Sequence, residues 1–183
     1  MQDSQGRNKM VEEAFSDNDS VRVDKDALIA EIATAFAGVS RGEGTSLHEA
    51  EEMDCHGSPA ELAAARKLDV DTRWQEVPGD WIESFSSAYS FLDATGLRYY
   101  LPATMIWTLK GERELLSATG CNIEFILSNP HQNVRILSQL LRLLTLGQRR
   151  AVARWLSYRA ATRPYKPREA MKQFRKSAWG RYV

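Results

Sequence analysis

Three groups of residues in this chain have types and spacings that could do chemistry. The stretch HEAEEMDCH sets His48, Glu52 and His56 at i, i+4 and i+8. On an unbroken helix that spacing turns two imidazoles and a carboxylate to one side, a ligand set suited to zinc or iron. The stretch is not H-E-x-x-H, because its fifth position is Glu52. Gly57 and Ser58 follow at once and end the helix near His56, which takes the third group out of phase. The metal reading is therefore the weak one, a solvated acidic helix face is the favoured one, and no cofactor is expected. A second group is Glu49 and Asp54, with Arg66, Asp69 and Asp71 downstream. Carboxylates beside a guanidinium can do acid/base work or line a polar cleft. The same residue types serve as caps and surface ion pairs, and Glu49 already completes a capping box opened by Ser46. The third group lies in FLDATGLRYYLPATMIW, where Asp93 and Arg98 flank Gly96. We expect Asp93 in the last turn of one helix, Gly96 as its left-handed cap, and Arg98 folded back on Asp93 or on the last carbonyls, an ion pair fastening the exit being favoured over a recognition site. The candidate polar cluster is thus Glu49, Asp54, Arg66, Asp93 and Arg98, and no residue is given a catalytic role.

The elements that must position these residues read as helices. Asp24 is placed to cap a helix in which Leu28, Ile32, Ala35, Phe36 and Val39 recur every three to four residues, ending near Gly38. Two capping boxes, Ser46 to Glu49 and Ser58 to Glu61, open short helices, the second with proline at its first position. A third box, Asp80 to Glu83, is expected to start a helix with the stripe Ile82, Phe85, Tyr89 and Leu92, stopping at Gly96. After Pro102, PATMIWTL allows one or two further turns before Gly111. CNIEFILSNP is short and apolar and fits strand or helix. VRILSQLLRLL is helical, and Thr145 to Gln148 is a box opening a helix whose Gln148, Ala151, Val152, Trp155 and Leu156 share one face. Arg149, Arg150 and Arg154 lie off that face. No internal repeat is found, and no alternating pattern is longer than LRYYL. The expected fold is all-α: a compact bundle of about six to seven short helices with at most a minor strand pair.

Domain organisation follows from composition. Residues 1–23 are polar and aperiodic and read as a disordered arm, with a turn of helix available to MVEEAF. Residues 24–162 form a single helical domain, and 163–183 a basic tail helix behind the Pro164 and Pro167 hinge. A content of 43% hydrophobic residues with five Trp fills a core. Two well-separated cysteines and a polar start without an apolar leader suggest a reducing cytoplasm, and no apolar stretch reaches the roughly 20 residues that cross a bilayer. Nucleotide-binding glycine loops, nucleophile elbows and C-x-x-C pairs are absent from the sequence.

The formal net charge of zero conceals a segregation. Met1 to Val134 carries 23 acidic and 11 basic residues, whereas Arg135 to Val183 carries 13 basic residues and one acid, Glu169. From Arg149 onward the bases alternate with Trp155, Tyr158, Tyr165, Phe174, Trp179 and Tyr182, the mixture that a single-stranded nucleic acid would use for neutralisation and stacking. The same charge can be met within the fold, between subunits or by an acidic protein. The patch residues are Arg150, Arg154, Lys172, Arg175 and Lys176. The leading expectation is a non-enzymatic protein-interaction module of accessory or immunity type, with nucleic-acid binding through the basic aromatic end, or an enzyme with an acid/Arg cleft, as alternatives. Its partner is expected to be another protein, and an oligomer is open.

The segments SLHEAEEMDCHGS, AARKLDVDTRW, SFLDATGLRYYLPATMIW and LLTLGQRRAVARWLSY resemble an uncharacterised bacterial family, the domain of unknown function DUF6714. The matching positions are Glu49, Asp54, Arg66, Asp69 and Trp74, then Asp93, Gly96, Arg98, Pro102 and Ala103, within residues 28 to 160. The tail after Arg163 is expected outside the resemblance. Members often carry Tyr-Gly after the second acid where this chain has Cys55-His56-Gly57, so the likeness adds nothing to a metal role for His56. It implies a fold and a site position without implying a reaction.

Overall fold

The computed structural model describes residues 24–111 and 117–183. The arm expected over residues 1–23, with its possible helical turn, lies outside the described residues. Among the described residues there are nine α-helices and no strand. They are α1 Lys25–Ala35, α2 Leu47–Asp54, α3 Pro59–Arg66, α4 Gly79–Ser84, α5 Ala94–Lys110, α6 Ala118–Ser128, α7 Pro130–Leu143, α8 Leu146–Ala161 and α9 Pro167–Lys176. The all-α expectation stands, with more helices than the six to seven expected and no strand pair.

Local signals start several of these helices as expected. Asp24 accepts from the N–H groups of Asp26 and Ala27. Ser58 and Glu61 exchange the two bonds of a capping box, as do Thr145 and Gln148. The face of α8 read from the sequence is the buried one, since Gln148, Ala151, Val152, Trp155 and Leu156 are all in the core. Segment 118–128, which fits strand or helix by sequence, is helix α6, capped by the Ser117 hydroxyl accepting from the Gly120 N–H at 3.1 Å.

The central element is α5, which packs against α1, α4, α6 and α7. Leu97, Tyr99, Tyr100, Leu101 and Met105 are wholly buried and lie all round its circumference, so it shows no single apolar stripe. It absorbs segments that the sequence divides. LRYYL is helical and Pro102 sits inside the helix, where its ring removes one backbone donor. The helix expected from Asp80 to Leu92 is instead the six-residue α4 followed by a 3-10 turn at Ala88–Ser90.

Side chains from distant elements close the ends of these short helices. Trp74 Nε1 donates to the Phe36 carbonyl at 2.9 Å and Gln148 Nε2 to that of Ala35 at 3.1 Å, both at the end of α1. Thr119 Oγ1 donates to the Ile82 carbonyl of α4, and Arg149 Nη2 to the Leu141 carbonyl of α7, each at 2.6 Å. Trp179 does the same for α6: it is 0% exposed, and its Nε1 reaches the Leu127 carbonyl at 2.9 Å. Residues 163–183, expected as a separate tail, therefore complete the core through Phe174 and Trp179, and α9 lies along α8.

Trp179→Ala is expected to lower stability by about 3–5 kcal/mol in urea unfolding, the range for removing a large buried aromatic side chain. Trp179→Phe, which keeps most of the apolar area and strands the Leu127 carbonyl, should lose about 1–3 kcal/mol.

Candidate functional site

The loop between α1 and α2 gathers most of the polar residues singled out by sequence. Arg66, at the end of α3, donates to Glu49 Oε2 at 2.6 Å, to the Gly44 carbonyl at 3.0 Å and to the Gly42 carbonyl at 3.3 Å. Glu49 also accepts from the Ser46 N–H at 3.2 Å, the helix-start bond expected of it. Asp93 joins the same loop from the other side. Its Oδ1 accepts from the Gly96 N–H at 2.7 Å and from the Thr45 N–H at 3.1 Å. Asp93 is the N-cap of α5, where its charge complements the helix dipole, and is not in the last turn of a preceding helix.

Gly96 is correspondingly the third residue of α5 and does not take a left-handed conformation. Its glycine identity answers a steric need. A Cβ there would strike the Thr45 carbonyl oxygen, and a Cβ on Gly44 would lie 2.5 Å from the Gly96 nitrogen. The two backbones pack directly on one another at this crossing.

The expected Asp93 to Arg98 ion pair does not form. Arg98 is half-buried with its Nε shielded from water, and among the described residues it makes no hydrogen bond or ion pair. Asp54 stays at the end of α2, where its backbone carbonyl lies 2.9 Å from His56 Nδ1 and its carboxylate joins no cluster. Of the five candidates, Glu49, Arg66 and Asp93 converge on residues 42–45, and Asp54 and Arg98 do not.

The weak metal set is dispersed. His48 Nδ1 lies 3.1 Å from Asp69 Oδ1, and its ring meets Trp81 and Phe85 edge-on. Glu52 packs against Gly57, and His56 sits beyond the end of α2 with φ of 63°. Among the described residues no three His, Cys, Asp or Glu side chains are gathered to hold a metal ion.

A denser polar cluster lies beneath the loop, and sequence reading did not assemble it. Arg41 Nη1 donates to Tyr100 Oη at 2.7 Å, Nη2 donates to the Asp69 carbonyl at 3.1 Å, and Nη1 is 3.9 Å from Asp71 Oδ1. Tyr99 Oη donates to Asp71 Oδ2 at 2.7 Å. Asp69 accepts from the backbone of His48 as well as facing its ring. Burial, and then the neighbouring carboxylates, push the Tyr99 and Tyr100 hydroxyls well above the ordinary tyrosine value; burial does the same for Tyr89. For Arg41, burial acts downward but is outweighed by Tyr100, Asp71 and Asp69, so the guanidinium is held above its ordinary value. The usable signal was LDVD at 68–71, a period-two pattern whose acids share one side. Its inward side turns out to be the charged one.

Asp93 also borders an open cleft of about 320 Å³, with Asn133, Arg135, Ile136 and Gln139 from α7 as its other walls. At the basic end, Arg150, Arg154, Lys172, Arg175 and Lys176 are all exposed. Arg154 pairs with Glu31 of α1, and the other four make no ion pair among the described residues. Most of the interleaved aromatics face inward. Trp155 and Trp179 are fully buried, Phe174 and Tyr158 nearly so, and Tyr165 is exposed. Two further arginines, Arg159 and Arg163, converge on buried Glu124 at 3.3 and 3.2 Å.

A double-mutant cycle between Asp93→Ala and Arg98→Ala is expected to show coupling below about 0.5 kcal/mol, while Asp93→Ala alone loses about 0.5–2 kcal/mol as a helix cap. Alkaline unfolding follows from the buried tyrosines. The unfolded chain releases their protons near pH 10 and the folded chain holds them, so stability should fall as pH rises above about 10, read by denaturant titration alongside phenolate absorbance.

Compared with known proteins, the chain matches one family, described as a family of unknown function, over residues 24–182. The match takes in the basic tail, which the resemblance over 28–160 left out. No curated protein and no solved structure matches. The chain belongs to that family, DUF6714.

Proposed function

We propose that the protein is a non-enzymatic interaction module that docks an acidic protein partner on the basic face of α8 and α9. The observation that carries this reading is that Arg150, Lys172, Arg175 and Lys176 are exposed and without ion-pair partners among the described residues, on helices anchored by buried Phe174 and Trp179. A charged face on a rigid support steers and orients a partner of opposite charge without first ordering it.

The aromatic residues favour protein over single-stranded nucleic acid. Stacking needs exposed ring faces, and those of Trp155, Phe174 and Trp179 belong to the core. The enzyme reading has less support, because Glu49 and Arg66 are engaged with one another and with the loop carbonyls. A bacterial cytoplasmic setting belongs to the same proposal. It rests on the family resemblance and on Cys55 and Cys121 standing as separate exposed thiols. No helix among the described residues is long and apolar enough to cross a membrane.

The test is capture from a lysate of the source cells, with and without nuclease, using the protein and its Lys172→Glu/Arg175→Glu/Lys176→Glu variant as baits. A protein retained after nuclease treatment, released by salt and lost with the variant is expected. Capture that disappears with nuclease would replace this reading with nucleic-acid binding.

A further inference from the structure

The loop after α3 is turned inside out. In Leu68-Asp-Val-Asp71 the two aspartates are 5% and 9% exposed, whereas Leu68 and Val70 are 57% and 79% exposed. A one-residue slip would exchange the two sets, burying the apolar side chains and solvating the carboxylates. The loop is held in the opposite register by the bonds of Asp69 to His48, of Asp71 to Tyr99, and of the Asp69 carbonyl to Arg41. Two apolar groups are thus fixed in water against the gradient of about 25 cal/mol per Å² that favours hiding them.

Their surroundings are acidic. Residues 41–91 contain eleven acids and four bases. Among the described residues, Arg41, Arg66 and Arg73 are held by partners within this region and Lys67 makes no such bond. An apolar centre within a charged rim is how a protein interface is built.

The basic face has the complementary composition. Leu143 and Leu146, at the turn from α7 to α8, are 41% and 52% exposed, and exposed Arg142 and Arg150 flank that turn in sequence. The end of the chain returns to the same place, for Arg149, which donates to the Leu141 carbonyl, has its guanidinium 5.8 Å from the Tyr182 ring.

We propose that the acidic partner of the basic face is a second copy of this chain, whose Leu68–Val70 loop and acidic α2–α3 hairpin dock on Leu143, Leu146 and the bases around them. The proposal rests on the interaction reading above and names its partner. Each chain carries both faces, so a contact through one pair of them is head-to-tail and leaves one face open on each chain.

Sedimentation equilibrium of the full chain tests it, at low salt and at about 1 M salt, where screening shortens the Debye length to roughly 3 Å. Low salt should give a weight-average mass of roughly twice the monomer's 20.7 kDa or more, and high salt the monomer. Leu68→Ser/Val70→Ser and Arg142→Glu/Arg150→Glu should each be monomeric alone and folded by circular dichroism. Mixed together they should pair, because each supplies the face that the other lacks. A wild-type monomer at all salts overturns the inference, as does self-association that ignores either variant. If the monomer still captures an acidic protein through α9, the interaction reading survives that failure; if it captures none, both fall.

Discussion

One carboxylate oxygen decides where the first third of the chain meets the rest. Asp93 Oδ1 receives the Gly96 N–H and the Thr45 N–H, and so ties the start of the central helix to the loop between α1 and α2. The backbones meet there with glycine on both sides, Gly44 and Gly96, because neither side has room for a Cβ. Once this crossing is made, Arg66 closes the loop from the α3 side and Glu49 aligns the start of α2. The polar residues singled out by sequence are in large part the parts of this joint.

A second constraint is shared by nearly every element. Short helices leave a large fraction of their carbonyls without partners, and a buried carbonyl without a partner is costly. Here Trp74, Thr119, Gln148, Arg149 and Trp179 each donate to a carbonyl near the end of a helix other than their own. Such bonds carry geometry as well as energy, since a donor of fixed length admits few placements of its helix. They also explain why the tail is core: without Trp179, the end of α6 loses its donor.

The legibility of the sequence follows the range of the interactions concerned. Helix starts set by a side chain two or three residues from its target, at Asp24, Ser58 and Thr145, are visible in the residues themselves. The amphipathic face of α8 is visible through its period. The start of α5 has the same local bond, from the Gly96 N–H to Asp93, but a glycine three residues past an acid reads equally as the end of a preceding helix. Its length is hidden as well, since a helix buried on all sides shows no periodic stripe and Pro102 suggests a break. The Arg41, Asp69, Asp71, Tyr99 and Tyr100 cluster draws on three separated segments, so no local window contains it. The basic aromatic end misleads for a related reason: alternation of bases and rings is what an amphipathic helix looks like when its rings line a core.

The pairing of α1 with α8 bears on how the chain reaches this structure. Gln148 reaches back across 113 positions to Ala35, and Arg154 across 123 to Glu31. Helical domains usually fold quickly because their contacts are local, and closing a long loop delays the reward for each non-local contact. This chain combines helical elements with closure between its first and eighth helices. The kinetics should therefore resemble those of a mixed α/β domain more than those of an up-and-down bundle, with α8 taking its place only as α1, which packs against both α5 and α8, docks.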